Sequence, residues 1–275
     1  MKILTLTLLI SLIVSCSSNE EKKTITKKAE LYYGHGTDYL IAKNYSKALE
    51  FLLKASELEP KNSKIINNLG MAYYFKNQHS TAIKFLKKSI KLDPKNSDAK
   101  NNLASVYFDL KQYDNAKKLY LQVQNDLIYE HQYRTFYNLA LIAEKKGDYQ
   151  RMITLLEKSS KEREDYCPAY LKLGKFYLNQ QRYSQAIKNF RAGSKGVCYK
   201  HPNSTYFLGL SWEKISENQK AINKYMEVIS TFPKSDFSKL ARRRLEILTK
   251  NDPILDLRLK KHDTSLKTKV DSIEF

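Results

Sequence analysis

Small and apolar residues return along this chain at a fixed interval. Gly36, Tyr39, Ala48, Leu52, Ala55 and Pro60 are followed by Gly70, Tyr73, Ala82, Leu86, Ser89 and Pro94, each 34 positions later. Leu69 has its own counterpart in Leu103, and Ala104, Tyr107, Ala116 and Tyr120 continue the series. After a two-residue insertion near residues 125–132 the pattern resumes with Leu139, Ala140, Ala143 and Leu156. It goes on with Tyr170, Leu173, Gly174, Tyr177, Ala186 and Phe190, then with Leu208, Gly209, Trp212, Ala221, Tyr225 and Pro233. Numbered within a unit, positions 4, 7, 8 and 11 share one face of a first helix, and 20, 24 and 27 one face of a second. Small residues at 8 and 20 let the two helices approach closely, and a proline after the second helix turns the chain. One such hairpin cannot bury its apolar stripe alone, so neighbours must stack.

This spacing resembles the tetratricopeptide repeat. Six units follow, at 29–62, 63–96, 97–130, 133–166, 167–200 and 202–235. The resemblance implies an all-α fold, a right-handed superhelix of six helical hairpins. Ile128 and Glu164 stand where proline is usual, and Met152 at the close-packing position 20. A wider helix crossing in the fourth repeat and an altered turn around 124–132 are expected. Residues 236–249 continue as an amphipathic helix, with Phe237, Leu240, Leu245 and Leu248 placed to cover the last repeat and Arg242, Arg243 and Arg244 mostly toward solvent. Residues 250–275 read as a polar, mobile tail.

The start of the chain follows other rules. Residues 3–14 form an apolar run after Met1 and Lys2, too short for the about 20 residues a membrane-spanning helix needs. The layout is that of a secretory signal peptide, and Ile13-Val14-Ser15-Cys16 resembles a bacterial lipobox. The expectation is a signal peptide over 1–15, lipidation at Cys16, and a polar tether over 16–28. Two buried acyl chains anchor stably where one is marginal. Ser17 follows the cysteine where aspartate would be the family's inner-membrane retention signal, so the resemblance favours the outer membrane, facing the periplasm.

Composition changes the picture in one respect. The formal charge of +19 invites nucleic acid, but export makes that partner inappropriate and the Lys and Arg are spread along the chain. They read as a solvated surface tolerant of anionic lipid or an acidic partner. His35, His79, His131, His201 and His262 are scattered, with no zinc spacing, nucleophile elbow or phosphate loop. No catalytic residue, metal, cofactor, nucleic acid or small-molecule substrate is expected.

Cys167 opens the first helix of the fifth unit and Cys198 follows its second. Antiparallel helices bring those ends together, and an exported protein keeps disulfides. A Cys167–Cys198 bridge is expected; two separate buried thiols are the alternative.

The resemblance places the working surface on the first helices, at positions 2, 5, 6, 9, 12 and 13. Position 6 reads Asn68, Asn102 and Asn138, a row able to pair with an extended peptide backbone or simply tolerated on an exposed face. Around it stand Tyr33, Met71, Tyr74, Phe75, Phe108, Tyr137, Leu141 and Tyr206, of the types that anchor interfaces. A groove over units one to four, holding a protein segment, is expected.

Lipobox, tether and six repeats together resemble the type IV pilus biogenesis lipoproteins of the PilF/PilW family, with further similarity at residues 231–236. That resemblance implies a pilotin, which accompanies an outer-membrane secretin and promotes its multimerisation. Two alternatives remain: a BamD-like factor of outer-membrane protein assembly, suggested by residues 225–247, and an NlpI-like adaptor of a periplasmic peptidoglycan enzyme or protease.

Overall fold

The computed structural model describes the backbone of residues 2–250 and the side chains of residues 20–250. The expected tail at 251–275 and the side chain of Cys16 lie outside the described residues. Among the described residues there are thirteen α-helices, a short 3-10 helix and no strand. The chain divides into two compact units, residues 1–131 and 132–275.

In the first unit α1 (Lys2–Ile41) pairs with α2 (Tyr45–Leu58), α3 (Ser63–Phe75) with α4 (His79–Leu92), and α5 (Ser97–Asp109) with α6 (Tyr113–Gln124). In the second, α7 (Gln132–Lys145) pairs with α8 (Tyr149–Glu162), α9 (Cys167–Asn179) with α10 (Tyr183–Ala192), and α11 (Pro202–Glu213) with α12 (Asn218–Thr231). Helix α13 (Asp236–Thr249) packs on α12 and α11. Residues 16–28, expected as a polar tether, are helical within α1, which runs unbroken from Lys2 to Ile41. No glycine or proline interrupts it before Gly34, and Ala29 is already buried against Ala55 and Ile65.

Each hairpin turns in the same way. Lys43, Asn77, Lys111, Gly147, Gln181 and Ser216, all at position 15 of their repeats, have positive φ. The next residue's N–H reaches back to the carbonyl at position 11, as in Gln78 to Tyr73 at 2.9 Å and Gln112 to Tyr107 at 2.8 Å. This closes the first helix by a left-handed C-terminal motif that consumes otherwise orphaned carbonyls. Between repeats, Asn62 and Asn96 cap α3 and α5 through their side chains, and Ser235 caps α13. Capping amides and hydroxyls satisfy the first N–H groups of each helix.

Within each hairpin position 8 faces position 24. A Cβ on Gly70 would come 2.9 Å from Leu86 Cγ, and one on Gly174 2.5 Å from Phe190 Cε1. Glycine here allows backbone to rest on a large side chain. Ala104 and Ala140 take the same place against Tyr120 and Leu156, and all four residues are essentially fully buried. Met152 at position 20 is also fully buried.

The connection from α6 to α7 spans residues 125–131, seven residues against four at 59–62 and 93–96. Without a proline there, Leu127 and Ile128 stand almost wholly in solvent, 93% and 90% exposed. At the far end Phe237, Ala241, Leu245 and Leu248 cover Tyr206, Ile222 and Tyr225. Leu240 is instead exposed at 40%, with Ala241 in its expected place. Arg242 and Arg243 are exposed, but Arg244 turns inward and pairs with Glu213, which also accepts from the Tyr225 hydroxyl at 2.7 Å.

Candidate protein-binding surfaces

In the first unit the asparagines at position 6 are not a free row. Asn102 Nδ2 donates to Asn67 Oδ1 at 2.9 Å, Asn67 Nδ2 to Asn68 Oδ1 at 3.1 Å, and Asn68 Nδ2 to Thr37 Oγ1 at 2.9 Å. Thr37 in turn donates to the Tyr33 carbonyl at 2.8 Å. One hydrogen-bonded chain thus crosses α5, α3 and α1. A segment bound here meets only the remaining capacity of those amides, on a surface held fixed by the rest. Asn67, at position 5 and buried, is the linking residue that a reading of position 6 alone misses.

The aromatic residues beside this chain are partly committed to packing. Tyr33 lies against Leu52 and Leu69, and burial pushes its hydroxyl pKa up. Met71 and Tyr74 pack on Leu86, Leu103 and Val106. The Tyr74 hydroxyl donates to Asp109, joining α3 to α5. Burial first, then that carboxylate, raise its pKa to about 12. Phe75 is 40% exposed and stacks on Tyr45 with centroids 4.8 Å apart. Phe108 is half-buried, 5.3 Å from the Tyr113 ring. The faces of Tyr74, Phe75 and Phe108 stay half-exposed at the surface of this unit.

The second unit holds a cavity of about 390 Å³, lined by Tyr137 of α7, Pro168, Leu171, Lys172 and Lys175 of α9, and the first turn of α11. Pro168, Leu171, Lys172 and Lys175 occupy positions 2, 5, 6 and 9 of their repeat, so one helix face supplies one wall. Cys167 and Cys198, disulfide-bonded with Cα atoms 5.4 Å apart, form another. The bond ties the 3-10 turn Gly196–Lys200, and through it the start of α11, to the start of α9. Tyr137 is held edge-on to Tyr166 at 5.5 Å, and burial pushes both hydroxyl pKa values up, that of Tyr166 to about 12.

Asn138 and Leu141 lie on α7, both half-buried. Tyr206 is not a groove residue: it is 7% exposed, with its ring 5.3 Å from Phe237. Helix α13 covers the face that an open repeat would leave bare. In the sequence Lys172 and Lys175 of α9 read as solvated surface. With Pro168 and Leu171 they nevertheless fill positions 2, 5, 6 and 9, the face that lines the cavity. Among the described residues no group of His, Cys, Asp and Glu could hold a metal ion, and no helix is long and apolar enough to cross a membrane.

Sequence profiles of the tetratricopeptide repeat match residues 51–84, 76–127, 133–166 and 168–194. No curated protein matches the chain in sequence. Among solved structures, PilF of Pseudomonas aeruginosa superposes with a TM-score of 0.66 at 18% identity, over 80% of this chain and 99% of that one. PilW, described as a widely conserved type IV pilus biogenesis factor, gives 0.64 at 14% identity, over 77% and 97%. The Cut9–Hcn1 assembly gives 0.63 at 18% identity, but only 46% of that chain is covered.

Proposed function

Because this chain is a tetratricopeptide-repeat protein on the fold of PilF and PilW, we propose that it is a non-catalytic scaffold of type IV pilus biogenesis. In this reading it is anchored by lipid at Cys16 to the outer membrane, faces the periplasm, and binds a segment of a secretin to help it localise and assemble. The observation that carries the reading is the extent of the correspondence: nearly the whole of PilF and of PilW is matched, whereas less than half of the Cut9–Hcn1 chain is. The lipobox-like segment ending on Cys16 adds the anchor.

Two surfaces are available for the partner, the aromatic face of the first unit and the cavity of the second. The test of the first is capture of the secretin's periplasmic region by the purified chain. Tyr74→Ala with Phe108→Ala should abolish capture while helicity is retained. Undiminished capture by the folded double variant would remove this face from the reading. The anchor is tested by labelling cells with a clickable fatty acid: the chain should be labelled and Cys16→Ser should not. Equal labelling of both would exclude Cys16.

A further inference from the structure

The connection from α6 to α7 carries the barest apolar side chains among the described residues. Leu127 and Ile128 are adjacent, 93% and 90% exposed, and Ile128 stands where the repeat usually has proline. They do not sit on a loose loop. Ser97 donates to Asp126 Oδ2 at 2.5 Å, the Ile128 N–H to Asp126 Oδ1 at 3.3 Å, and the Tyr129 hydroxyl to Asp98 at 2.7 Å. These bonds fix the backbone on both sides of the pair to the start of α5. An apolar pair held out into solvent in this way marks a contact with a protein or a membrane.

The course of the chain decides between the two. Helices of the first unit alternate in direction, so the connections 59–62, 93–96 and 125–131 share one edge. The hairpin turns at 42–44, 76–78 and 110–112 share the opposite one. Helix α1 leaves the repeats at the first of these edges: Ala29 is buried against Ala55 and Ile65, and the helix continues past it to Lys2. Lys61, Lys64, Lys91 and Lys95 lie along the same edge, all exposed. Lysines beside bare aliphatic side chains suit a lipid surface, where ammonium groups meet phosphates and the aliphatics enter the acyl boundary.

The distances agree. From Cys16 to Ala29 the helix is about 20 Å long, and two helix spacings from α1 to α5 are again about 20 Å. A tilt of about 45° therefore brings a lipid at Cys16 and the tip at 125–131, the connection farthest from α1 in this unit, onto one plane.

We propose that Leu127 and Ile128 form a second membrane contact, dipping below the headgroups of the bilayer that holds the Cys16 lipid. The lysines of the same edge meet lipid phosphates, and the first unit lies tilted on the membrane instead of standing off it. The proposal rests on the lipid-anchor reading and is independent of which protein the scaffold serves.

The test uses the full chain reconstituted into vesicles of phosphatidylethanolamine and phosphatidylglycerol, with or without bromine on the acyl chains. Leu127→Trp reports from the tip and Leu110→Trp from a hairpin turn on the opposite edge. Both replace exposed leucines, so the fold should be retained, as circular dichroism would verify. Trp212 gives the same background to each. Emission from Leu127→Trp should lie to the blue of Leu110→Trp and be quenched by the brominated chains, whereas Leu110→Trp should be quenched no more than the unsubstituted chain. No added quenching at 127, or equal quenching at 127 and 110, would overturn the proposal. A blue-shifted but unquenched tip would also overturn it, giving the pair to a second copy of the chain. Sedimentation of Cys16→Ser with the vesicles reads the anchor separately: if it equals that of the intact chain, the anchor fails, whatever residue 127 reports.

Discussion

Gly174 rests on the ring of Phe190, so close that a Cβ would stand 2.5 Å from Cε1 and 2.6 Å from Cδ1. Both residues lie in the hairpin that carries the cavity, and the ring is fully buried with no room to retreat. Gly174→Ala should therefore cost about 1–3 kcal/mol by overpacking. Gly34, in α1 with nothing within 4 Å of its Cβ position, is the control. Gly34→Ala should stabilise by about 0.5–1 kcal/mol through helix propensity. Urea midpoints of the two variants moving in opposite directions would bear this out; parallel shifts would contradict the close approach.

The Cys167–Cys198 bond spans a sequence separation of 31. In the chain-entropy picture such a loop contributes about 3–4 kcal/mol. Replacing both cysteines by serine should lower the urea midpoint accordingly and expose the cavity wall to proteolysis between α10 and α11. An unchanged midpoint and cleavage pattern would show that packing alone holds this junction.

Glu213 joins Tyr225 and Arg244, and its side chain is 10% exposed. A double-mutant cycle on Glu213 and Arg244 should return a coupling of about 1–2 kcal/mol, since removing either partner strands a mostly buried group. The exposed pair Lys54–Glu50, at 2.6 Å, should give a coupling near zero. Equal couplings would place Arg244 in solvent, as the sequence suggests.

Tyr74 titrates late because burial and the facing Asp109 both oppose its anion. Its pKa rises from 10.0 to about 12 on folding, so the folded chain holds the proton more tightly than the unfolded one. The associated stability is complete below pH 10 and fades as pH climbs through 12. In Tyr74→Phe, stability should fall less steeply over that window, and one late tyrosinate should vanish from the ultraviolet titration. Identical curves would mean the hydroxyl is free in solution.

The hairpins were legible because their packing reduces to residue size at a few recurring positions. Glycine or alanine at position 8 and a large residue at 24 can be read without knowing any contact. The left-handed residue at position 15 was not, since Lys43, Lys111 and Gln181 take a conformation that glycine would advertise. The binding surfaces were harder for the same reason. A side chain at a groove position can turn to its neighbours, as Asn68 and Asn102 do through Asn67, or be covered by a later helix, as Tyr206 is by α13. Pairing of Arg244 with Glu213, 31 residues away, leaves no local pattern to recognise.

The scaffold role is tested most directly by following the secretin itself in outer-membrane fractions from cells with and without this chain. Its multimer, read on gels of unheated samples, should disappear or move out of the outer membrane in the deletion and return with the intact chain. Secretin multimers of unchanged amount and location in the deletion strain would contradict it.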